Sequence, residues 1–573
     1  MAITRRKFCH LAASSYLAIP LLAQAHGRND NSEDINAYPF KHGIASGDPL
    51  NDRIILWTRI TSPRQEHERI AVKWMIASDP EMDTVVADGI AMTDANRDYT
   101  VKVDVHGLQP GTVYYYKFHA MDYESPLGRT KTLPVGDVER LRIAFTSCSN
   151  YPYGYFNVYG MIARRRDLDV VLHLGDYIYE YANGVYGDGS AINRIPEPVH
   201  ETVTLNDYRQ RYAKYRTDAN LQAAHRQHAF ITVWDDHEFA NNAWSGGAQN
   251  HNPELGEGNW KVRKAAAIKA YLEWMPIRQV DAEHPTRIYR KFQFGNLMDL
   301  LMLDTRIYGR DKQPASPKDT ATINDPNRSI MGAAQESWLF DQLSESDNRG
   351  TRWRFIGQQV MFGQLHTFGQ PFNVDQWDGY AANRQRVLDY IHNQAIDNTV
   401  ILAGDIHSSW AMDISPNPYD PSAYDALTGT GSRAVEFVTP PVSSPGIEDP
   451  VKAAKMAAFV RSQNPHMKFV ELNKRGYILL DITHERTQAE WYFAETIKAP
   501  NLNESFVTAF KNMAGTNRLV PAEGPSPSIP VNDTYFNQDE NEVEEKEREK
   551  ELTDAGEQGS HYAGSESTSL RTP

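Results

Sequence analysis

The sequence predicts a layered α/β domain preceded by an N-terminal β-sandwich, and a change of pattern near residue 137 indicates the division. Residues 38–134 contain short runs of alternating polar and apolar residues that are separated by turn residues, which is typical of antiparallel strands. Beyond residue 137 the apolar runs become continuous and alternate with helical segments, as expected of a sheet covered on both faces. With 573 residues, the chain also exceeds the length at which a single core usually stops growing.

Four segments define the predicted sandwich, namely residues 53–60, 70–78, 99–105 and 113–120. The last is rich in tyrosine and follows the turn sequence Leu108-Gln109-Pro110-Gly111-Thr112. Because this combination resembles fibronectin type III modules, we expect a fibronectin type III-like β-sandwich over residues 38–134. The region contains no acid–base pair and no metal-ligand spacing, which predicts a scaffolding role.

The α/β domain is predicted over residues 138–500. It opens with a strand at residues 142–146, a helix at 156–166 and a strand at 169–174, which is the length of a βαβ unit. Continuous apolar runs predict the further strands of the sheet, at 229–234, 297–304, 352–357, 399–404, 476–483 and 489–493.

The first residues have the pattern of an export signal. Thr4-Arg5-Arg6-Lys7-Phe8 precedes an apolar stretch over residues 11–22 and the small-residue sequence Ala23-Gln24-Ala25. The paired arginines predict a twin-arginine signal peptide over residues 1–25, with the twin-arginine export machinery as a partner; a general secretion signal is the alternative. No later segment is long and apolar enough for a stable membrane span, so we expect a periplasmic or secreted protein.

Charge and cysteine content narrow the remaining possibilities. The formal net charge of −15 argues against a nucleic-acid binder, which needs a basic surface. Cys9 lies in the predicted signal, so the exported chain would keep Cys148 alone, either as an inert buried thiol or as a ligand.

Residues 501–537 are predicted as a C-terminal extension, and the sequence leaves open whether residues 506–513 cover a site as a lid. The acidic segment 538–573 is predicted to be a disordered tail.

Polar residues follow the predicted strands of the α/β domain, at the edge where ligands bind in such sheets. Taken singly, each could be a helix cap or a structural hydrogen-bonding group, but their joint occurrence predicts a metal site. Thiolate, phenolate and imidazole favour a transition metal, whereas carboxylates without histidine favour a hard cation such as Ca²⁺. A phenolate ligand would need a strongly polarising ion such as Fe³⁺. The residues are Cys148 and Asn150, Asp176 and Tyr179, Asp235 to Glu238, Asp304 and Arg306, Gln358 and Gln359, and Asp405 and His407.

Several of these residues lie in motifs that resemble known phosphoesterases. Gly175-Asp176-Tyr177-Ile178-Tyr179 is similar to the Gly-Asp-x-x-Tyr element of purple acid phosphatases, and Asp236-His237-Glu238 stands where calcineurin-like phosphoesterases carry Asn-His-Glu or Asn-His-Asp. Gly404-Asp405-Ile406-His407 is similar to their closing Gly-His-x-His motif, with Asp in the first His position. More closely, eight segments in order resemble the PhoD-type alkaline phosphatase and phosphodiesterase family, over about residues 38–495. They are residues 145–150, 173–181, 208–218, 233–242, 301–310, 356–361, 377–384 and 401–409.

The resemblance implies a metallophosphoesterase α/β domain over residues 138–500 that binds Fe³⁺ with Ca²⁺ nearby. It implies the metal ligands Cys148, Asp176, Tyr179, Asp236, Asp405 and His407, with Asn150 and Gln358 or Gln359 as weaker candidates. The division of Asp236, Asp405 and His407 between the two metals stays open. Three arginines are candidates for holding phosphate oxygens, since a guanidinium matches them bidentately, although structural ion pairs are the alternative. They are Arg209, Arg211 and Arg306.

The expected activity is hydrolysis of phosphate esters to release phosphate. The sequence contains no Gly-x-Ser-x-Gly nucleophile motif, so a hydroxide or oxo group held by the metals is the expected nucleophile, with no further catalytic side chain. One alternative is a phospholipase D-like phosphodiesterase that uses the same site. An alternative from another class is a secreted, non-catalytic binding protein, which predicts gaps at the metal positions.

Overall fold

The computed structural model of the protein describes residues 38–62 and 69–530. The predicted signal peptide at residues 1–25 and the predicted acidic tail at 538–573 lie outside these ranges. Among the residues described, no helix has both the length and the apolar character needed to cross a membrane.

The N-terminal region is rich in β-structure, as predicted. It contains eight strands: β1 (Ile44–Gly47), β2 (Arg53–Arg59), β3 (Ile70–Ala77), β4 (Val85–Thr93), β5 (Thr100–His106), β6 (Val113–Ala120), β7 (Tyr123–Glu124) and β8 (Gly128–Lys131). Strands β3, β4, β6, β7 and β8 form one antiparallel sheet. Strands β1, β2 and β5 instead belong to the large sheet of the following region.

The second region alternates strands and helices. Its strands are β9 (Arg140–Thr146), β10 (Val170–His173), β11 (Ala229–Thr232), β12 (Arg290–Phe294), β13 (Met298–Met302), β14 (Trp353–Gly357), β15 (His366–Thr367), β16 (Gln370–Pro371), β17 (Thr399–Ala403), β18 (Ser409–Ile414), β19 (Ala434–Val438), β20 (Met467–Glu471), β21 (Gly476–Thr483), β22 (Arg486–Ala494), β23 (Glu504–Met513) and β24 (Leu519–Pro521). Its α-helices are α1 (Asn157–Arg164), α2 (Leu205–Tyr215), α3 (Ala219–Gln227), α4 (Trp260–Trp274), α5 (Thr320–Ile323), α6 (Ala333–Asn348), α7 (Ala381–Asn393) and α8 (Pro450–Gln463).

A ten-stranded sheet joins the two regions. Its strand order is β24-β23-β22-β21-β9-β10-β11-β1-β2-β5, and β1 pairs in parallel with β11, with Ser46 opposite Ala229. The predicted sandwich therefore gives three strands to this sheet. Burial explains the placement of β2, because its central residues from Ile54 to Thr58 are buried without alternation. Residues 506–513, considered as a lid, lie within strand β23, next to the opposite edge strand β24.

A seven-stranded sheet packs against the first. Its order is β12-β13-β14-β17-β19-β18-β20, and β13, β14, β17 and β19 run parallel. Leu300 and Met302 on β13 belong to the core that also contains Phe145 of β9, so this core lies between the sheets. Leu301 and Leu303 belong to a second core with side chains of α6, α7 and α8. The alternation along β13 thus separates two layers, as a strand covered on both faces requires.

The carboxyl ends of the parallel strands in both sheets meet at one edge. A parallel β-bridge between Ser147 and Pro441 connects the segment after β9 to the segment after β19. Side chains from the segments that follow β10, β11, β13 and β17 contact one another at this edge. This edge is where the sequence predicts the site.

Candidate metal centre

The turns after the strands hold four predicted ligands in an unusual backbone conformation. Left-handed φ values are uncommon for residues other than glycine, and they concentrate at functional sites because surrounding structure must hold them in place. Here they occur directly after β9, β10 and β17, at Cys148 (62°), Asp176 (55°), Asp405 (66°) and His407 (54°).

Glu238 fixes the turn after β10 to the turn after β11. Its carboxylate accepts hydrogen bonds from the backbone N–H groups of Asp176 at 3.0 Å, Tyr177 at 2.6 Å and Asp235 at 2.7 Å. Burial, followed by the charge of Asp176, raises the pKa of Glu238 to about 8. Gly175 (φ 105°) permits the close approach, because an added Cβ would lie 2.3 Å from Cβ of Asp235. The turns after β10 and β11 are therefore held as one unit.

The potential ligand atoms form three overlapping groups. Within each group these atoms all lie within 4.8 Å of one another. Asp176 is shared by two groups and Asp236 by two, so the three groups form one continuous cluster. The groups are Cys148, Asp176 and His407; Asp176, Asp236 and His237; and Asp235, Asp236 and Asp405. The structure thus brings together five of the predicted ligands.

Tyr179 also reaches the cluster. Its hydroxyl donates to Oδ2 of Asp176 at 2.9 Å, lies 2.9 Å from Nε2 of His407 and accepts from Oγ of Ser444 at 2.7 Å. Burial raises the pKa of Tyr179 well above its usual value, and Asp176 adds to the effect. The phenol would therefore become a phenolate only beside a strongly polarising cation.

The buried oxygens of the cluster fit a bound cation. Buried acceptors are nearly always hydrogen-bonded in folded proteins, and exceptions call for a physical reason. The amide of Asn150, on the turn after β9, donates through Nδ2 to the carbonyl of Tyr186 at 2.9 Å and leaves Oδ1 without a partner. Four buried side-chain oxygens have no hydrogen-bond partner, namely Asn150 Oδ1, Asp176 Oδ1, Asp235 Oδ2 and Asp236 Oδ1.

The ionisation of the carboxyl groups gives the same indication. Burial raises the pKa of Asp235 well above its usual value and that of Asp405 to about 7. For Asp236, burial also acts upward, but Arg306 and His237 outweigh it and lower the pKa to about 2. Several carboxylates this close cannot all ionise in a buried site without a large free-energy cost unless positive charge compensates them. The donor set is therefore suited to a cation.

His237 was not among the predicted ligands, yet it belongs to the cluster. Its Nδ1 lies 2.7 Å from Oε2 of Glu180, and its ring stacks on Tyr179 at 4.3 Å between centroids. Burial would lower the pKa of His237, but Glu180 and Asp236 raise it well above its usual value. A carboxylate on one ring nitrogen is how metal-binding histidines are commonly oriented. The Asp236-His237-Glu238 motif contained the signal.

Arg306 reaches the cluster, but its partners are carboxylates of the protein. The fully buried guanidinium donates through Nε to Asp235, through Nη1 to Asp375 at 2.5 Å and through Nη2 to Asp405 at 2.6 Å. Arg306 therefore holds the carboxylates in place. Asp375 lies between β16 and α7. Its position at the site could not be predicted, since it does not follow a parallel strand.

The other two arginines differ from the expectation that they hold substrate. Both guanidinium N–H groups of Arg209 that face Glu273 are bonded to its carboxylate, at 2.7 Å each. Arg211 is buried, and its nitrogens donate to five backbone carbonyls, those of Tyr179, Tyr181, Glu197, Pro198 and His200. With five N–H donors on a guanidinium, none remains for a phosphate oxygen. These contacts argue against Arg211 as a substrate-binding residue and give Arg209 a structural ion pair, the alternative expected for these arginines.

Gln359, a weaker candidate ligand, is likewise engaged elsewhere. Its Oε1 accepts from the backbone and hydroxyl of Thr305 at 2.9 and 2.5 Å, and its Nε2 donates to the carbonyls of Trp234 and Leu303 at 2.9 Å each. Gln358 accepts from Nε1 of Trp377 at 3.2 Å. Both amides therefore support the loops that surround the cluster.

The chain is similar to known phosphatases over most of its length. The family model described as PhoD-like phosphatase matches residues 143–491, and the model for the N-terminal domain of PhoD-like phosphatases matches residues 24–134. The chain is 36% identical over 546 residues to alkaline phosphatase D of Bacillus subtilis (strain 168), covering 90% of this chain and 89% of that protein.

A solved structure described as the structure of PhoD matches with a TM-score of 0.76 and 33% sequence identity, covering 87% of this chain and 95% of the other. The match extends over both the β-rich N-terminal region and the α/β region. The resemblance indicated by the eight sequence motifs is thereby confirmed, and the chain belongs to the PhoD-like phosphatase family.

Proposed function

We propose that this phosphatase hydrolyses phosphate esters at the cluster built around Asp176 and Asp236. One observation carries the proposal: the turns after parallel strands of two sheets converge to place a thiol, a phenol, imidazoles and carboxylates within ligand distance, with buried oxygens left unpaired. As a member of its family, the chain is a phosphoric ester hydrolase, and the non-catalytic alternative is set aside.

The donor types support Fe³⁺ and Ca²⁺ as the metals. Cys148, Tyr179 and His407 lie at one end of the cluster and supply donors that suit iron, whereas Asp235 and Asp405 at the other end supply hard oxygens that suit calcium. Asp176 and Asp236 connect the two ends. With cations bound, the site gains Lewis acidity and the ability to activate water near neutral pH. Asn150 is proposed as a further oxygen donor because its Oδ1 is unpaired.

The chain's own groups hold this arrangement. The single hydroxyl proton of Ser444 is shared between two acceptors, because Oγ lies 2.7 Å from the Tyr179 hydroxyl and 2.8 Å from the Cys148 carbonyl. This contact fixes two proposed ligands relative to each other. Arg306 spaces the carboxylates, and Glu180 holds Nδ1 of His237. Because these contacts are buried, substrate binding would require little rearrangement of the donors, which favours catalysis.

Monoesters and diesters are both proposed as substrates, and a phospholipase D-like diesterase activity at the same site stays the alternative. The two differ in the size of the group attached to phosphorus. Comparing p-nitrophenyl phosphate with bis-p-nitrophenyl phosphate under identical metal loading separates them. A preference for the diester by orders of magnitude in kcat/KM would favour the alternative.

The finer fold and the location are part of the proposal. The hydroxyl of Tyr114 accepts from the backbone N–H of Gln109 at 2.8 Å, a tyrosine-corner contact that supports a fibronectin type III-like module. The two facing sheets with helices on the outer face of the second support a metallophosphoesterase α/β domain. Export by the twin-arginine route to the periplasm or the medium stays a prediction from residues 1–25.

Replacing Cys148 by Ser tests the site directly. A hydroxyl is a poorer ligand for iron than a thiolate, so we expect iron content and phosphatase activity to fall together. Ser147→Ala is the matched control, because Ser147 lies 3.1 Å from the thiol and offers no proposed ligand. Unchanged iron and full activity in Cys148→Ser would refute the assignment. Loss of both in the control alone would also count against it.

A further inference from the structure

A cluster of cationic side chains, Arg475 and Lys498, lies near the candidate metal centre. Arg475 donates through Nη2 to Oε1 of Glu448 at 2.9 Å, and the hydroxyl of Tyr153 donates to the same oxygen. The ammonium of Lys498 lies 3.8 Å from the centre of the Tyr153 ring, and the guanidinium of Arg475 lies 5.7 Å from it. Two cations and a phenol thus surround a single carboxylate.

This cluster is directly connected to the proposed metal ligands. Nε of Arg475 donates to the carbonyl of Ser444 at 3.1 Å, and the Ser444 hydroxyl donates to Tyr179. On the other side, an added Cβ at Gly187 would lie 3.3 Å both from Cβ of Tyr153 and from Oδ1 of Asn150. One residue therefore separates the cationic cluster from the metal centre on each side.

The members of the cluster differ in how firmly they are held. The side chain of Arg475 is 8% exposed and is also bonded to the carbonyls of Asn473 and Ser444, whereas that of Glu448 is 58% exposed. Arg475 and Lys498 keep their positions through these and other contacts, including a hydrogen bond from Lys498 to the carbonyl of Tyr153 at 3.1 Å. Because the Glu448 carboxylate is largely exposed, water screens its pair with the buried Arg475, and another anion can compete for its position.

We propose that Arg475 and Lys498 form a subsite for a second anionic group on the ester, which takes the position of the Glu448 carboxylate while the scissile phosphate lies at the metal centre. The substrate class is then esters whose alcohol portion carries a further phosphate or carboxylate. This inference rests on the proposed function, since it places the scissile phosphate at the adjacent metal centre.

Three substrates of similar shape test the subsite: phenyl phosphate, carboxyphenyl phosphate and phenylene bisphosphate. Glu448→Gln removes the competing charge. We therefore expect KM for the two esters that carry a second anionic group to fall by about two- to fivefold, the scale of an exposed ion pair. Lys498→Met should raise KM for the same two esters by a similar factor. Neither variant should change KM for phenyl phosphate or kcat for any ester. A response to the bisphosphate alone would identify phosphate rather than carboxylate as the recognised group.

Matched controls change the net charge equally at a distant place. Glu345→Gln and Lys291→Met remove the two partners of an ion pair between α6 and β12, which is an edge strand of the second sheet. Equal shifts of KM for all three esters, or equal effects of the control variants, would overturn the subsite. Higher salt should reduce the difference between the esters.

A binding measurement separates this inference from the proposed function. If the wild-type chain hydrolyses none of the esters, the proposed function fails; calorimetric titration with benzylphosphonate and carboxybenzylphosphonate then tests the subsite by itself. Tighter binding of the carboxylated phosphonate, further tightened in Glu448→Gln, supports the subsite. Equal affinities for the two phosphonates refute it.

Discussion

Glu238→Gln should loosen the metal centre by an amount that the hydrogen bonds set. The glutamate serves three backbone N–H groups, and the amide oxygen of glutamine can keep the two that share Oε2, those of Asp176 and Asp235. The amide NH₂ then faces the N–H of Tyr177, so one bond is lost and a buried donor is left without a partner. At about pH 9, above the pKa of about 8, Glu238 is a carboxylate, and losing a bond to this charged group costs about 1.5–3 kcal/mol. The unsatisfied donor costs about 1–3 kcal/mol. Since the two costs overlap, we expect a total of roughly 3–5 kcal/mol.

Thermal unfolding of the chelator-treated protein measures this loss. At about 2.1 cal/mol/K per residue and about 500 residues, each kcal/mol lowers Tm by roughly 1 °C, so Tm should fall by about 3–5 °C. Metal titration should also show weaker binding, because the turn that carries Asp176 loses the hydrogen bond at the next residue, Tyr177, which helps to hold its left-handed backbone. Glu436→Gln is the control, as Glu436 accepts from the N–H groups of Phe362 and Gly363 away from the cluster. Unchanged Tm together with unchanged metal affinity in Glu238→Gln would refute the reasoning.

Two further predictions concern residues outside the cluster. Arg211→Lys should lower the free energy of unfolding by about 2–4 kcal/mol, because three ammonium donors cannot serve five carbonyls. The KM of the folded fraction should be unchanged. A raised KM at full stability would restore Arg211 as a substrate-binding residue. Burial raises the pKa of Glu436 from its ordinary 4.5 to about 7, so the folded state binds more protons than the unfolded state in this window. The contribution of Glu436 to stability should therefore fall by about 3 kcal/mol as pH rises from 4.5 to 7 and stay level above that. Denaturant titrations at several pH values measure this slope, and Glu436→Gln should lack the contribution. A slope unchanged by the substitution would contradict the pKa shift.

The convergence of the ligand-bearing turns could be predicted from the sequence because each part of the argument is local. A continuous apolar run predicts a buried strand, and a polar residue directly after it predicts a side chain at the carboxyl edge. Cys148, Asp176 and Asp405 follow this rule, and the structure places them together. Four of the eight N-terminal strands, β2, β3, β5 and β6, were predicted from an equally local pattern, alternating runs separated by turn residues.

What the sequence did not indicate depends on contacts between distant segments. Glu180 and Asp375 follow no strand, and only the folded chain shows that they face His237 and Arg306. Arg211 occurs in a family motif, but its partners are loop carbonyls, which carry no residue-specific signal. The pairing of β1 with β11 joins segments more than 180 residues apart in the chain, and the only local indication was the unbroken apolar run in β2.

The pairing of β1 with β11 has a consequence for modularity. Although separate family models match residues 24–134 and 143–491, the two regions share the hydrogen bonds of one sheet. Removing the first region would leave the N–H and C=O groups along β11 unpaired, next to the turn that carries Asp235 and Asp236, and such an open edge invites aggregation. We therefore expect the two regions to be stable only together, so that the phosphatase region alone is a poor unit for grafting onto other proteins.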